Sequence, residues 1–158
     1  MIKAAILTVS DSCAAGERED VSAKTIADML PENEFEICGK QIVADSAEEI
    51  AGELKRFCDE AGADVVFTTG GTGLGPRDVT PEATASVCER MVPGISEIIR
   101  AQGREKTKRA VLSRGIAGIR DKTLVINLPG SPKGVKESLE IILDVLPHAV
   151  DMLRGGGH

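Results

Sequence analysis

Along this chain, continuous apolar runs alternate with segments whose apolar residues recur every three or four positions. Residues 2–9, 63–69 and 123–128 are runs of the first kind, and 35–43 is a fourth, more mixed run. Strands buried on both faces read this way, because no side chain is left facing water. The segments between them have helical spacing. Ala23, Ile26, Ala27 and Leu30 mark one face of a helix that stops at Pro31. Ser46 and Glu49 have capping-box spacing, and Ala47, Ile50, Ala51, Leu54, Phe57, Cys58 and Ala61 follow at helical intervals. Thr80-Pro81-Glu82 predicts another helix start, with Thr80 as N-cap and Pro81 at the first helical position. A further helix is expected after Pro93-Gly94, with Ile95, Ile98 and Ile99 inward, and a last one carries Val135, Leu139, Ile142, Leu143 and Leu146. Residues 10–20 are expected to be a polar loop, 100–109 a solvated basic segment, 110–112 a short strand, and the glycine tail from Gly155 frayed.

Alternating strands and helices of this kind make an α/β fold, with a mostly parallel sheet and helices on both faces. The length suits one domain over residues 1–158, and neither a repeat nor a linker interrupts it. Parallel sheets bind ligands beyond the carboxyl ends of their strands. Polar loops at Ser10-Asp11, Ala44–Ser46, Gly70–Asp78, Ser113-Arg114 and Pro129–Lys133 would then gather on one rim.

Composition narrows the partners. A net charge of −6, with three Phe and neither Trp nor Tyr, argues against nucleic acid or an anionic membrane as partner. No run is long enough to span a bilayer, and the N-terminus reads as a strand, so a cytoplasmic location is expected. Four scattered cysteines without a Cys-x-x-Cys pair predict free thiols. Two histidines, both near the C-terminus, leave a zinc site or a Ser-His-Asp triad without its parts.

The chemistry centres on Thr68–Thr84, where four glycines in six positions (Gly70, Gly71, Gly73, Gly75) lead into Arg77-Asp78 and a helix start. Glycines let a ligand approach the backbone, and unpaired N–H groups at such a turn attract anions. The loop fits neither the P-loop nor the dinucleotide fingerprint, since Pro76 and Arg77 stand where those motifs need other residues. A phosphorylated ligand suits the glycines, and the carboxylate of Asp78 suits a metal accompanying it. The residues also have ordinary readings. Asp45 can serve the dipole of the following helix, Asp78 can form an Asx turn, and Arg77 can pair with Asp78 at the surface.

Five blocks taken together resemble one family: Thr-Val-Ser-Asp at 8–11, Gly-Gly-Thr-Gly at 70–73, Pro-Arg-Asp-Val-Thr-Pro-Glu-Ala-Thr at 76–84, Leu-Ser-Arg at 112–114 and Leu-Pro-Gly-Ser-Pro at 128–132. In this order and spacing they resemble the MogA/MoaB family of molybdenum cofactor biosynthesis, from Ile2 to the last helix. The resemblance implies a three-layer α/β domain, usually trimeric and sometimes hexameric. It is closer to the MogA branch, which moves AMP from Mg-ATP to the terminal phosphate of molybdopterin and releases pyrophosphate. The product passes to MoeA-type insertases. The resemblance implies that Asp45 and Asp78 are the catalytic residues. Because magnesium takes one or two carboxylates plus phosphate oxygens, both are expected to hold Mg²⁺ or its water shell near the triphosphate. Ser10, Asp11, Gly70, Gly71, Thr72, Gly73, Arg77, Ser113, Arg114, Pro129, Gly130, Ser131 and Lys133 are the expected substrate and phosphate contacts. Two other classes stay open on the sequence: a MoaB-like carrier that binds the pterin without adenylylating it, and a scaffold of the gephyrin kind.

Overall fold

A computed structural model describes residues 1–156. Six strands form one sheet in the order β2-β1-β3-β6-β5-β4. β1 (Ile2–Val9), β2 (Phe35–Val43), β3 (Val65–Thr69) and β6 (Thr123–Leu128) pair in parallel. β5 (Ala117–Arg120) and the two-residue β4 (Arg90–Met91) complete one edge antiparallel. The sheet is therefore mostly parallel, as the apolar runs predict.

Successive side chains of a strand point to opposite faces, and here both faces are covered. On one face Ala4, Ile6, Val65, Phe67, Leu124 and Ile126 meet α2 (Val21–Met29), α6 (Pro132–Ile142) and α7 (Leu146–Leu153). On the other, Ala5, Leu7, Val66 and Val125 meet α3 (Ala47–Asp59) and α4 (Thr80–Val87). α3 carries Ile50, Leu54 and Phe57 inward, all fully buried. At about 25 cal/mol per Å² of apolar area removed from water, side chains of this size supply most of the drive to form the layers. α5 (Pro93–Gly103) lies on the α6 side, with Ile95 and Ile99 against the core.

Several expectations change. The polar loop after β1 contains a one-turn helix, α1 (Asp11–Ala14), capped by Ser10. Ser46 accepts from Glu49 N–H as a capping box requires, but the Ser46 N–H goes to the Ala44 carbonyl, so the box is only half formed. Thr80 is not an N-cap. It is the first residue of α4, and its hydroxyl donates to the Gly70 carbonyl at 2.9 Å, tying the helix to the glycine loop. Ile98 faces water, 39% exposed, while Ser96 takes the buried place. The segment 110–112 belongs to a 3₁₀ helix, Lys108–Leu112, with Val111 and Leu112 more than half exposed. The sheet position beside β6 goes instead to β5, whose Ala-Gly-Ile-Arg is too short to show a period. Arg100 is not merely solvated, since it donates to the carbonyls of Ser113 and Gly115. The last helical stretch is broken by a 3₁₀ turn, Leu143–Val145. The end of the glycine tail, 157–158, lies outside the described residues.

Candidate functional site: two cavities at the carboxyl rim

Because β1, β2, β3 and β6 are parallel, the loops after them share one rim. The glycine loop leaves β3 and passes beside the loop after β6. Gly70 and Gly71 take left-handed φ values of 100° and 70°. A Cβ at Gly70 would strike the Val9 carbonyl, and one at Gly71 would strike the Thr80 hydroxyl. These two positions need glycine twice over, for conformation and for space. Among the described residues, the N–H groups of Gly71, Thr72 and Gly73 donate to no protein acceptor. Successive unclaimed N–H groups in a tight loop form an anion-binding concavity.

Two guanidinium groups hold the loop from outside. Arg114 reaches the carbonyls of Gly73 and Asp78 at 2.8 and 2.7 Å and forks onto Glu82 at 2.7 and 3.2 Å. Its backbone N–H also donates to the Thr72 carbonyl. Arg77 forks onto Asp11 at 2.6 and 3.0 Å. Its partner is therefore Asp11, not Asp78. Asp78 Oδ2 accepts from Gly75 N–H at 2.9 Å, a turn that closes backward on the loop.

The rim carries two cavities. The first, of about 460 Å³, has Ser10, Asp45, Gly70, Gly71, Asp78, Gly130 and Ser131 on its wall. The second, of about 490 Å³, is lined by Thr72, Gly73, Ser113, Pro129 and Ser131, with Leu74, Leu112, Ile99 and Ile141 giving it a more apolar wall. The glycine loop and the Pro129–Ser131 turn form the ridge between them. Asp11, Arg77, Arg114 and Lys133 stand on neither wall; Lys133 is an exposed residue in the first turn of α6.

In the first cavity the Asp45 carboxyl is pushed above its ordinary value, first by burial and also by the negative charges of Asp11 and Asp78. A carboxylate crowded in this way gains from a cation beside it. Among the described residues no three His, Cys, Asp or Glu side chains gather as a metal cage. Two carboxylates with open oxygens are nevertheless the set that Mg²⁺ uses when phosphate completes its shell. The donor chemistry therefore fits.

The match to known proteins agrees with this geometry. The family model described as "probable molybdopterin binding domain" matches residues 5–148. The chain belongs to the MogA/MoaB family. It is 44% identical over 153 residues to molybdopterin adenylyltransferase from Helicobacter pylori strain J99, covering 95% of this chain and 86% of that one. The solved molybdopterin biosynthesis enzyme MoaB from Thermus thermophilus superimposes with a TM-score of 0.93 at 48% identity, over 98% of both chains. A solved MogA superimposes with a TM-score of 0.90 at 41% identity, over 96% of this chain and 99% of that one.

Some residues of this MogA/MoaB site escape a sequence reading. Asp20, at the end of the segment 10–20 expected to be a polar loop, is the N-cap of α2, accepts the Thr8 hydroxyl at 2.5 Å and lines the first cavity. Its signal is present in the sequence, an aspartate directly before an apolar helical face. Asn127 lies buried in β6 and donates to the hydroxyls of Thr68 and Thr84, both at 3.0 Å, while accepting from Ile116 N–H. A polar residue inside an otherwise apolar stretch, residues 124–128, is the trace it leaves in the sequence. Ser113, expected to follow a strand at 110–112, reaches the rim without one, because Arg114 pairs with Thr72.

Proposed function

We propose that this protein is a molybdopterin adenylyltransferase, moving AMP from ATP to the terminal phosphate of molybdopterin in molybdenum cofactor biosynthesis. The observation that carries the reading is the convergence of Asp45, Asp78 and the open N–H groups of the glycine loop on one rim. A terminal phosphate oxygen of the pterin attacks the α-phosphorus of ATP. A phosphoanhydride bond forms, the bond between the α- and β-phosphates breaks, and pyrophosphate leaves with the electron pair. Both reactants are anions, so catalysis rests on bringing them together and neutralising charge.

Asp45 and Asp78 would hold Mg²⁺, which when bound neutralises the triphosphate and makes its α-phosphorus a better electrophile. The N–H groups of Gly71, Thr72 and Gly73 serve as the phosphate cradle on the ridge, within reach of both cavities. The first cavity, with its carboxylates, suits the nucleotide. The second, with apolar walls and the Ser113 hydroxyl, suits the pterin. Ser10, Gly130 and Ser131 then border the nucleotide, and Thr72, Gly73 and Pro129 border the pterin. Lys133 stands close enough along the chain to Ser131 to meet phosphate from outside. The protein works as a homotrimer in the cytoplasm and passes adenylylated pterin to a MoeA-type insertase. Among the described residues no helix is long and apolar enough to cross a membrane.

The test is direct. Purified protein with molybdopterin, ATP and Mg²⁺ should give pyrophosphate and adenylylated pterin together, and chelating the metal should stop both. Sedimentation should find three chains per particle; a monomer at working concentration would contradict the trimer.

A further inference from the structure

β1 and β2 end in register, with Val9 opposite Val43. Two residues beyond that pair, each strand exit carries an aspartate, Asp11 and Asp45. The two residues exchange hydrogen bonds. Asp11 N–H donates to Asp45 Oδ2 at 3.1 Å, and Asp45 N–H donates to Asp11 Oδ1 at 3.0 Å. The parallel ladder is thereby continued by one rung, with side-chain oxygens in place of carbonyls.

Two carboxylates so close repel each other. Arg77, arriving from the glycine loop, offsets this by its fork onto both oxygens of Asp11 and a further bond to the Asp45 carbonyl at 3.3 Å. Planar two-point pairing of this kind fixes orientation as well as charge. The Arg77 and Asp11 side chains are 65% and 46% exposed, so the pair's worth to global stability is small. Its effect is on geometry. Asp45 Oδ2 is held, while among the described residues Oδ1 takes no protein hydrogen bond. Neither Arg77 nor Asp11 stands on a cavity wall.

We infer that Asp11 and Arg77 are positioning residues: Arg77 orients Asp11, and Asp11 fixes the Asp45 carboxylate so that one chosen oxygen is presented to the reaction. This rests on the adenylyl-transfer reading of the Asp45 site. It competes with Arg77 as a direct phosphate ligand, and the two assignments part company in a double-mutant cycle.

Asp11→Ala, Arg77→Ala and the double variant would be compared for AMP transfer, with Arg77→Gln as a second variant that keeps a polar side chain but is shorter and has neither the charge nor the fork. Acting through one chain, each single change lowers kcat on the order of tenfold. KM for ATP stays within about twofold, as expected for an effect on the transition state rather than on binding. The double variant is then no worse than the poorer single one. A raised KM for ATP in Arg77→Ala that adds to the Asp11→Ala effect would overturn the proposal and make Arg77 a phosphate ligand. A second readout needs no turnover: amide hydrogen exchange at Asp45 in ligand-free protein should quicken in Asp11→Ala, Arg77→Ala and Arg77→Gln. Unchanged exchange at Asp45 in the Arg77 variants would break the chain. Wild-type protein without AMP transfer would refute the adenylyl-transfer reading and leave this exchange test standing.

Discussion

Asp45 and Asp78 are the residues on which the reading turns, and each supports a distinct expectation. Asp78→Ala should abolish AMP transfer while leaving molybdopterin affinity largely intact; wild-type turnover in that variant would remove Asp78 from the mechanism. For Asp45 the shift has a sign that stability can report. Its native pKa is raised from 3.8, chiefly by burial. The protonated form therefore favours folding, a contribution fully present below 3.8 and lost as pH rises through the raised native value. At neutral pH the ionised group is therefore a cost to folding. Asp45→Asn should melt no lower than wild type at pH 7 while losing transfer activity, and the difference should narrow in acid. A clearly lower melting temperature at pH 7 would show that the carboxylate stabilises the loop instead. Both aspartates are legible in the sequence because motifs mark them. The contacts of Asp20 and Asn127 are not, because their partners Thr8, Thr68 and Thr84 lie 12, 59 and 43 residues away and meet them only once strands and helices have packed.

At the scale of elements, long apolar periods place β1, β2, β3, β6 and the major helices, since burial of a face needs only local spacing. What escapes is short or non-local. β4 and β5 have two and four residues. The 3₁₀ helix at Lys108–Leu112 reads as a strand because three apolar residues in a row have no decisive period. The joint between β3, α4 and β6 is the element-level feature most exposed to test. Asn127→Ala would leave the hydroxyls of Thr68 and Thr84 without the donor they now share, and should cost about 1–3 kcal/mol of unfolding free energy. Chemical denaturation would check it; a loss below a few tenths of a kcal/mol would mean that those hydroxyls find other partners. Gly70→Ala should be at least as damaging, by about 1–3 kcal/mol, since it combines a left-handed φ with a clash against the Val9 carbonyl. Gly16→Ala is the control: its φ is also positive, but a Cβ there meets nothing within 4 Å.

For the molecule as a whole, the parallel connections do what the pattern anticipates and bring the loops after β1, β2, β3 and β6 to one rim. Nothing in the pattern reveals that the rim holds two cavities, or that the glycine loop is the wall between them. That division depends on where the crossovers return the chain, and on Arg114 drawing the loop after the 3₁₀ helix against Thr72 and Gly73. A ridge of open N–H groups between a carboxylate-lined cavity and a more apolar one suits the joining of two phosphorylated partners. The central claim is tested most directly by incubating the protein with molybdopterin, ATP and Mg²⁺ and following both products. The account predicts pyrophosphate and adenylylated molybdopterin in equal amounts, dependent on pterin and metal. Tight pterin binding with neither product, under conditions where an active adenylyltransferase works, would contradict it and make the protein a pterin carrier.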